Sequence, residues 1–264
     1  MNGRIFVTGD KHGNFNFLRN FCRINKTSTK DVLVVLGDAG LNFHGGWSAT
    51  EMGVKRKIAQ LPITLLLIRG NHEQRPSDCN FELINHDIVK GLNPDDPIIP
   101  DKVYVQSEFP NILYATDGGC YSIYGQSCLC IGGAYSVDKE WRLLMNRFWV
   151  PNEELSQTEM TDILDKVWHH NYNHVFTHTC PDAWQPRDLF LTFVDQSKVS
   201  KKMELFLEDV TRYIDYDHWW FGHFHGERTY VEERACMTMD GIYELKAPDR
   251  YSYVGYYSWE EYIQ

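Results

Sequence analysis

The sequence predicts an α/β fold built around buried parallel strands, and three observations carry that reading. Short, near-continuous apolar runs recur along the chain, as expected of strands covered on both faces. Helix-compatible stretches separate the first three runs, the alternation typical of βαβ units. Each run ends in a polar, chemically capable cluster, and ligands of open α/β sheets sit at the carboxyl ends of the strands.

Arg4 to Thr8 (RIFVT) leads into Gly9-Asp10-Lys11-His12-Gly13. A helix-compatible stretch covers Phe15 to Ile24. Val32 to Leu36 leads into Gly37-Asp38-Ala39-Gly40, and Thr50 to Gln60 is again helix-compatible. Thr64 to Ile68 leads into Arg69-Gly70-Asn71-His72-Glu73. Gly91 to Pro100 holds three prolines and two adjacent aspartates and reads as a surface loop. Tyr121 to Ala134 reads as a pair of strands closed by Gly132-Gly133, and Ser136 to Trp149 is rich in charge and aromatics. Leu155 to His169 has helical spacing, with Ser156 at the N-cap and Glu159 three residues on. His174 to Phe176 leads into Thr177-His178-Thr179-Cys180-Pro181, and Trp219 to Phe221 into Gly222-His223-Phe224-His225-Gly226. The Tyr-rich tail from about 229 to 264 reads as extra strands and turns, an extension of one domain covering 1–264.

Composition narrows the classes. With 43% hydrophobic and 23% charged residues in 264, the chain is neither disordered nor collagen-like nor a pure coiled coil. Its 26 basic and 36 acidic residues give a net charge of −10, and the longest basic run is Lys55-Arg56-Lys57. Standing duplex nucleic-acid binding is therefore not expected. No apolar run approaches the ~20 residues of a membrane span. The opening MNGRIFVTGD lacks a signal-peptide core, and the seven cysteines match no disulfide framework. A cytoplasmic protein with reduced, mostly buried thiols is the expectation.

The five polar clusters together offer two carboxylates (Asp10, Asp38), one carboxamide (Asn71) and the imidazoles of His12, His178, His223 and His225, with His72 beside Asn71. Mixed oxygen and nitrogen ligands suit Mn²⁺, Fe²⁺ and Zn²⁺. Seven ligands can hold two ions if one carboxylate bridges them, and two ions can clamp both oxygens of a displacement at phosphorus. In extended backbone, residues two apart face the same way, which would aim Asp10 with His12 and His223 with His225 at one cavity. Gly9, Gly37, Gly70 and Gly222 each precede a candidate ligand, where a small residue permits close approach.

The order GD-x-H-G, GD, GNHE, a strand-end His and G-H-x-H, spanning Gly9 to His225, resembles the calcineurin-like metallophosphoesterase superfamily. The resemblance implies a four-layer α/β/β/α sandwich with two mixed sheets flanked by helices, Ile131 to Ala134 belonging to the second sheet. It implies that Asp10, His12 and His225 bind one divalent ion and Asn71, His178 and His223 the other. Asp38 would bridge them, and a hydroxide shared by the ions would attack phosphorus. His72 would bind the substrate phosphate and protonate the leaving oxygen. The implied ions are Mn, Fe or Zn, with Mn favoured in vitro.

Departures blur the subfamily. Gly37-Asp38-Ala39-Gly40-Leu41-Asn42 lacks the further aspartate and arginine of the superfamily's Ser/Thr protein phosphatases, although GNHE matches that branch and G-H-x-H matches the phosphodiesterase-like ones. The expected activity is hydrolysis of a phosphomonoester or phosphodiester of a small molecule or nucleotide. A Ser/Thr-type protein phosphatase and a non-catalytic metal-bound binding module are the alternatives. Arg69, Lys139 and Arg142 are candidate substrate contacts, and Lys11 also flanks a ligand. For Lys139 and Arg142 a solvated helix face is the plainer reading, and for Arg69 and Lys11 ordinary charge beside a cleft. No membrane partner is expected, and the oligomeric state stays open.

Overall fold

Strand registers bring the polar clusters to one edge. The computed structural model describes residues 3–93, 95, 101–247 and 250–256. In chain order the first elements are β1 (Ile5–Thr8), α1 (Leu18–Asn25), β2 (Val32–Val35), α2 (Ala49–Ile58) and β3 (Thr64–Leu67). Short strands follow: β4 (Glu82–Ile84), β5 (Val89–Gly91), β6 (Val103–Val105), β7 (Ile112–Ala115), β8 (Gly119–Ile123) and β9 (Gln126–Ile131). Next come α3 (Lys139–Leu144), α4 (Gln157–Val167), β10 (Asn171–Thr177), α5 (Lys202–Tyr213) and β11 (Asp215–Phe221). The last described elements are β12 (Arg228–Tyr230), β13 (Ala235–Met237), β14 (Gly241–Ala247) and β15 (Arg250–Tyr256).

One sheet has the order β15-β14-β1-β2-β3-β7-β6-β4, the other β12-β13-β11-β10-β9-β8-β5. Each is mixed: β1, β2, β3 and β7 run parallel in the first, and β9, β10, β11 and β13 in the second. Thr8, Val35 and Leu67 stand abreast, and Thr177 lies opposite Phe221. The chain therefore leaves all five strands at a common height within each sheet.

Side-chain alternation makes the layers. Phe6, Leu33, Val35, Leu65 and Leu67 pack with Leu18, Phe21 and Ile58 of α1 and α2. Their neighbours Ile5, Val7, Val34 and Leu66 face inward, meeting Cys128, Phe176 and Trp220 of the second sheet. The far face of that sheet packs Val175, Trp219 and Phe221 on Met160, Ile163, Phe206 and Val210 of α4 and α5. The result is a four-layer α/β/β/α sandwich.

Local chemistry explains most boundaries. Ser156 caps α4 in a reciprocal capping box with Glu159. The β8–β9 hairpin turns at Tyr124-Gly125, both left-handed (φ 52° and 82°), as a tight two-residue turn requires; Gly132-Gly133 lies beyond the end of β9. Helix α1 begins at Leu18, later than the periodicity implies, with Phe15 and Phe17 already buried in the core before it. The C-terminal segment is integral to both sheets. β14 pairs with β1, and β13 with β11. Tyr251 packs on His218 and Trp220 at 4.6 and 4.9 Å. Tyr257, Trp259, Tyr262 and the side chain of Tyr256, like much of the 91–100 loop, lie outside the described residues. All seven cysteines are buried and none forms a disulfide. Among the described residues, no helix is long and apolar enough to cross a membrane.

Candidate metal centre

Immediately beyond the strands the backbone turns sharply. His12, Asp38, His223 and His225 all adopt left-handed φ, at 44°, 46°, 68° and 52°. The extended geometry expected for Asp10–His12 and His223–His225 is thus absent; each pair converges through a turn instead. Such conformations cost about 1–3 kcal/mol each and persist where surrounding contacts over-determine them. Here the contacts are visible. The turn aims the amide of His72 at Asp38 Oδ1 (2.9 Å) and that of His223 at Asp10 Oδ1 (2.9 Å), while the amide of His12 donates to the Asp38 carbonyl (2.7 Å). Each carboxylate is therefore held by a motif other than its own. Glycine makes this possible: a Cβ on Gly70 would stand 1.9 Å from Asp38 Oδ1, and one on Gly222 2.2 Å from Asp10 Oδ1.

Among the described residues, two trios of potential ligand atoms result, Asp10–His12–His225 and Asp10–Asp38–His178. His225 Nε2 lies 3.4 Å and His12 Nε2 4.0 Å from Asp10 Oδ2, and the two ring nitrogens are 3.1 Å apart. Asp38 reaches both halves, 4.0 Å from His12 Nδ1 and 3.8 Å from His178 Nε2. His178 Nε2 meets Asn71 Oδ1 at 2.8 Å, and its Nδ1 meets the Leu36 carbonyl at 2.7 Å. His223 packs against His178, ring centroids 4.9 Å apart. Asp10 and Asp38 are 1% and 2% exposed, and His178 is wholly buried. Asp10 Oδ2 is buried without a well-formed hydrogen bond. Buried carboxylates facing imidazole nitrogens make a donor set suited to a divalent cation.

Electrostatics agree. Burial alone would raise the Asp10 carboxyl, but the contact with His225 and the charges of His178, His225 and His12 hold it below the ordinary range. Burial and the neighbouring Asp10 charge push Asp38 up. Burial drives His223 well below its usual value, leaving a neutral ring whose lone pair can bind a cation.

A model of the calcineurin-like phosphoesterase family matches residues 3–227. The chain belongs to this family. Membership supports metal-dependent phosphoester hydrolysis as its general chemistry. A solved structure described only as a crystal structure is 12% identical, covering 97% of this chain and 100% of its own, with a TM-score of 0.50; it shows the fold alone. The cold-active protein-tyrosine phosphatase of a psychrophilic Shewanella sp. is 14% identical over 97% of this chain and 81% of its own, with a TM-score of 0.34, too low to carry an argument. No curated protein matches.

Around the candidate metal centre the charged candidates separate. His72 stands at its edge, its ring 6.1 Å from His12. Burial first, then the Arg142 charge, lowers His72 to about 4, against an opposing pull from Asp138. Arg142 thus lies within electrostatic reach of the centre; its Nε is held by Asp138 at 2.7 Å. Arg69 is not brought to the cluster face: its buried guanidinium binds Asp117 (2.9 Å) and the Glu153 carbonyl (2.7 Å). Lys139 lies 4.2 Å over the Trp149 ring and lines a cavity of about 620 Å³ that none of the candidate ligands lines. Lys11 is buried and donates to the Met239 carbonyl at 2.5 Å.

Three further residues brace or border the candidate ligands. Glu73 accepts from the amides of Gly70 (2.9 Å) and Gly40 (3.2 Å), bracing two motifs together, and burial with the Asp38 charge pushes it up to about 7. Ser136 accepts from Asn71 Nδ2 (2.9 Å) and donates to Glu153 (2.5 Å). Phe43 contacts His72 at 6.1 Å. The GNHE motif flags Glu73 by position, but nothing in sequence signals that residues 136, 153 and 43 adjoin it.

Proposed function

We propose that this protein hydrolyses a phosphomonoester or phosphodiester of a small molecule or nucleotide by direct attack of hydroxide at phosphorus, with no covalent enzyme intermediate. The observation that carries the reading is the pair of ligand trios that share buried Asp10, one of them including buried Asp38. Asp10, His12 and His225 would hold one divalent ion and Asn71, His178 and His223 the other, with Asp38 reaching both. When bound, such ions supply positive charge for the phosphoryl oxygens and lower the pKa of water toward ~7.

The remaining work falls to the protein. Asp10 and Asp38 stay oriented because backbone amides from other motifs hold one oxygen of each. His72, kept neutral by burial and Arg142, can donate a hydrogen bond to a phosphoryl oxygen. The negative charge of a bound phosphoryl group raises its proton affinity, so that it can take up a proton from solvent and pass it to the leaving oxygen, returning to the neutral ring. Arg142 is the charged candidate placed to meet substrate; Arg69 and Lys139 serve other partners. Manganese suits the mixed nitrogen and oxygen donors, and the buried thiols suit a reducing, cytoplasmic setting.

The test is hydrolysis of a nitrophenyl phosphomonoester and the bis-nitrophenyl diester with Mn²⁺, after chelation, and with His72→Ala. Turnover that vanishes on chelation, returns with Mn²⁺ and collapses in the variant supports the reading. Absence of turnover in metal-loaded protein sinks it, and a phosphorylated enzyme would overturn the direct attack.

A further inference from the structure

We propose that Phe43, Phe148 and Arg142 form a shelf that receives the planar base of a nucleotide substrate, with Arg142 placed for a second phosphate. The proposal rests on the phosphoester-hydrolase reading above. Phe43 stands 5.1 Å from Phe148 at 87°, 4.7 Å from the His44 ring and 6.1 Å from His72. The Arg142 guanidinium carbon lies 5.6 Å over the Phe43 ring, its Nε fixed by Asp138 and its Nη1 near the Phe148 carbonyl at 3.4 Å. Helix α3, which carries Arg142, buries none of its residues, and Phe148 is 41% exposed. The shelf therefore faces outward and is contiguous with the proton-donating side of the centre.

Ring faces stack nucleobases, and a guanidinium both stacks and binds phosphate. An aliphatic leaving group would leave the rings uncovered. His72 links the centre to the shelf, its ring 6.1 Å from both His12 and Phe43. A phosphoryl group at the centre and a base on the shelf would belong to one extended molecule, as in a nucleotide.

The experiment is equilibrium binding of AMP, ADP, ribose 5-phosphate and tyrosine O-phosphate to the full-length, Mn²⁺-loaded protein. AMP should bind about tenfold tighter than ribose 5-phosphate, the usual range for one stacked base. Phe43→Ala and Phe148→Ala should bring that ratio near one, and Arg142→Gln should remove the advantage of ADP over AMP. Equal binding of AMP and ribose 5-phosphate overturns the shelf. Tyrosine O-phosphate binding as tightly as AMP overturns the nucleotide assignment. A protein that prefers AMP in this way yet hydrolyses no phosphoester keeps the shelf and loses the proposed function.

A separate observation carries a second inference: we infer that Ser136 and Glu153 are positioning residues that aim the Asn71 carboxamide oxygen at the centre. Asn71 Nδ2 donates to Ser136 Oγ, which donates to Glu153 Oε2; Glu153 also accepts from the Ser136 amide (3.1 Å) and from Trp149 Nε1 (2.7 Å). A carboxylate facing three donors only accepts. That sets the direction of the whole chain, so the amide must present Oδ1, not its NH₂, to His178 and any ion beside it. Glu153→Gln can donate to Ser136 and reverse the chain. The readout is Mn²⁺ affinity by calorimetry. Glu153→Gln and Ser136→Ala should weaken it about 10–100-fold, the range for residues behind metal ligands, with Ser136→Thr restoring it. Unchanged affinity, or losses fully additive with Asn71→Ala, overturns the inference.

Discussion

The floor of the site and its rim are built on opposite principles. On the floor, Asp10, Asp38, Asn71 and His178 are buried, and each is held by a motif distant in sequence. On the rim, α3 buries nothing, and Leu144 is 83% exposed. The floor stores backbone strain at His12, Asp38, His223 and His225, which only dense surrounding contacts can sustain. Between Lys139 and Phe148 on the rim, only Asn146 is left-handed, at φ 50°. Chemistry shared by a whole family belongs where geometry is over-determined, and substrate choice where side chains can change without unfolding the protein.

The largest effect should come from breaking the floor. Asp38→Asn, which removes a charge reaching toward both His12 and His178, should reduce turnover more than about 100-fold, beyond what residues behind metal ligands typically cost. It should also lower metal content, measured by elemental analysis; full activity would show that Asp38 is no ligand. Next in size, Gly70→Ala places a methyl 1.9 Å from Asp38 Oδ1 and should destabilise the fold by about 1–3 kcal/mol in urea unfolding. A neutral outcome would show the floor to be looser than its distances imply.

Beneath the floor, acid should act on the inter-sheet core. Burial lowers His174 to about 3, and its ring meets Gln126 (2.7 Å) and accepts from Trp220 (3.4 Å) as the neutral form. The unfolded chain takes up this proton near pH ~6.5, while the folded one resists it to about pH 3. Stability should therefore fall as pH drops from 6.5 toward 3, by up to about 1.4 kcal/mol per pH unit. Replacing His174 with Gln should flatten that limb in pH-dependent unfolding curves. The smallest effect belongs to the rim: Leu144→Lys should change stability by no more than about 0.5 kcal/mol. A loss above ~2 kcal/mol would mean that α3 is covered, and would erase the contrast.

Much of this was readable beforehand. Apolar runs ending in Gly9-Asp10, Gly37-Asp38 and Gly70-Asn71 marked both the strands and the edge where their polar ends meet. Periodicity and the Ser156–Glu159 pair marked α4. Less legible was how the candidate ligands turn inward. An alternation rule assumes extended backbone, and His12, His223 and His225 instead adopt left-handed φ, while the amides of His223 and His72 reach Asp10 and Asp38. Arg69 and Lys139 illustrate the same limit. Each lies near a ligand or the cleft in sequence, yet Asp117 and Trp149, far from Arg69 or on the other side of a helix from Lys139, decide where those charges rest.

The sequence by itself determined the α/β class and the residue types at the centre, because burial pattern and residue identity are written along the chain; its motif order carried the family resemblance that implied the four layers. Tertiary structure alone decided that β14 completes the first sheet beside β1, that Glu73 braces two motifs, and that Ser136, Glu153 and Phe43 border the site. Those roles depend on atoms meeting within hydrogen-bond or ring-contact distance across dozens of residues, and no local pattern records such a meeting.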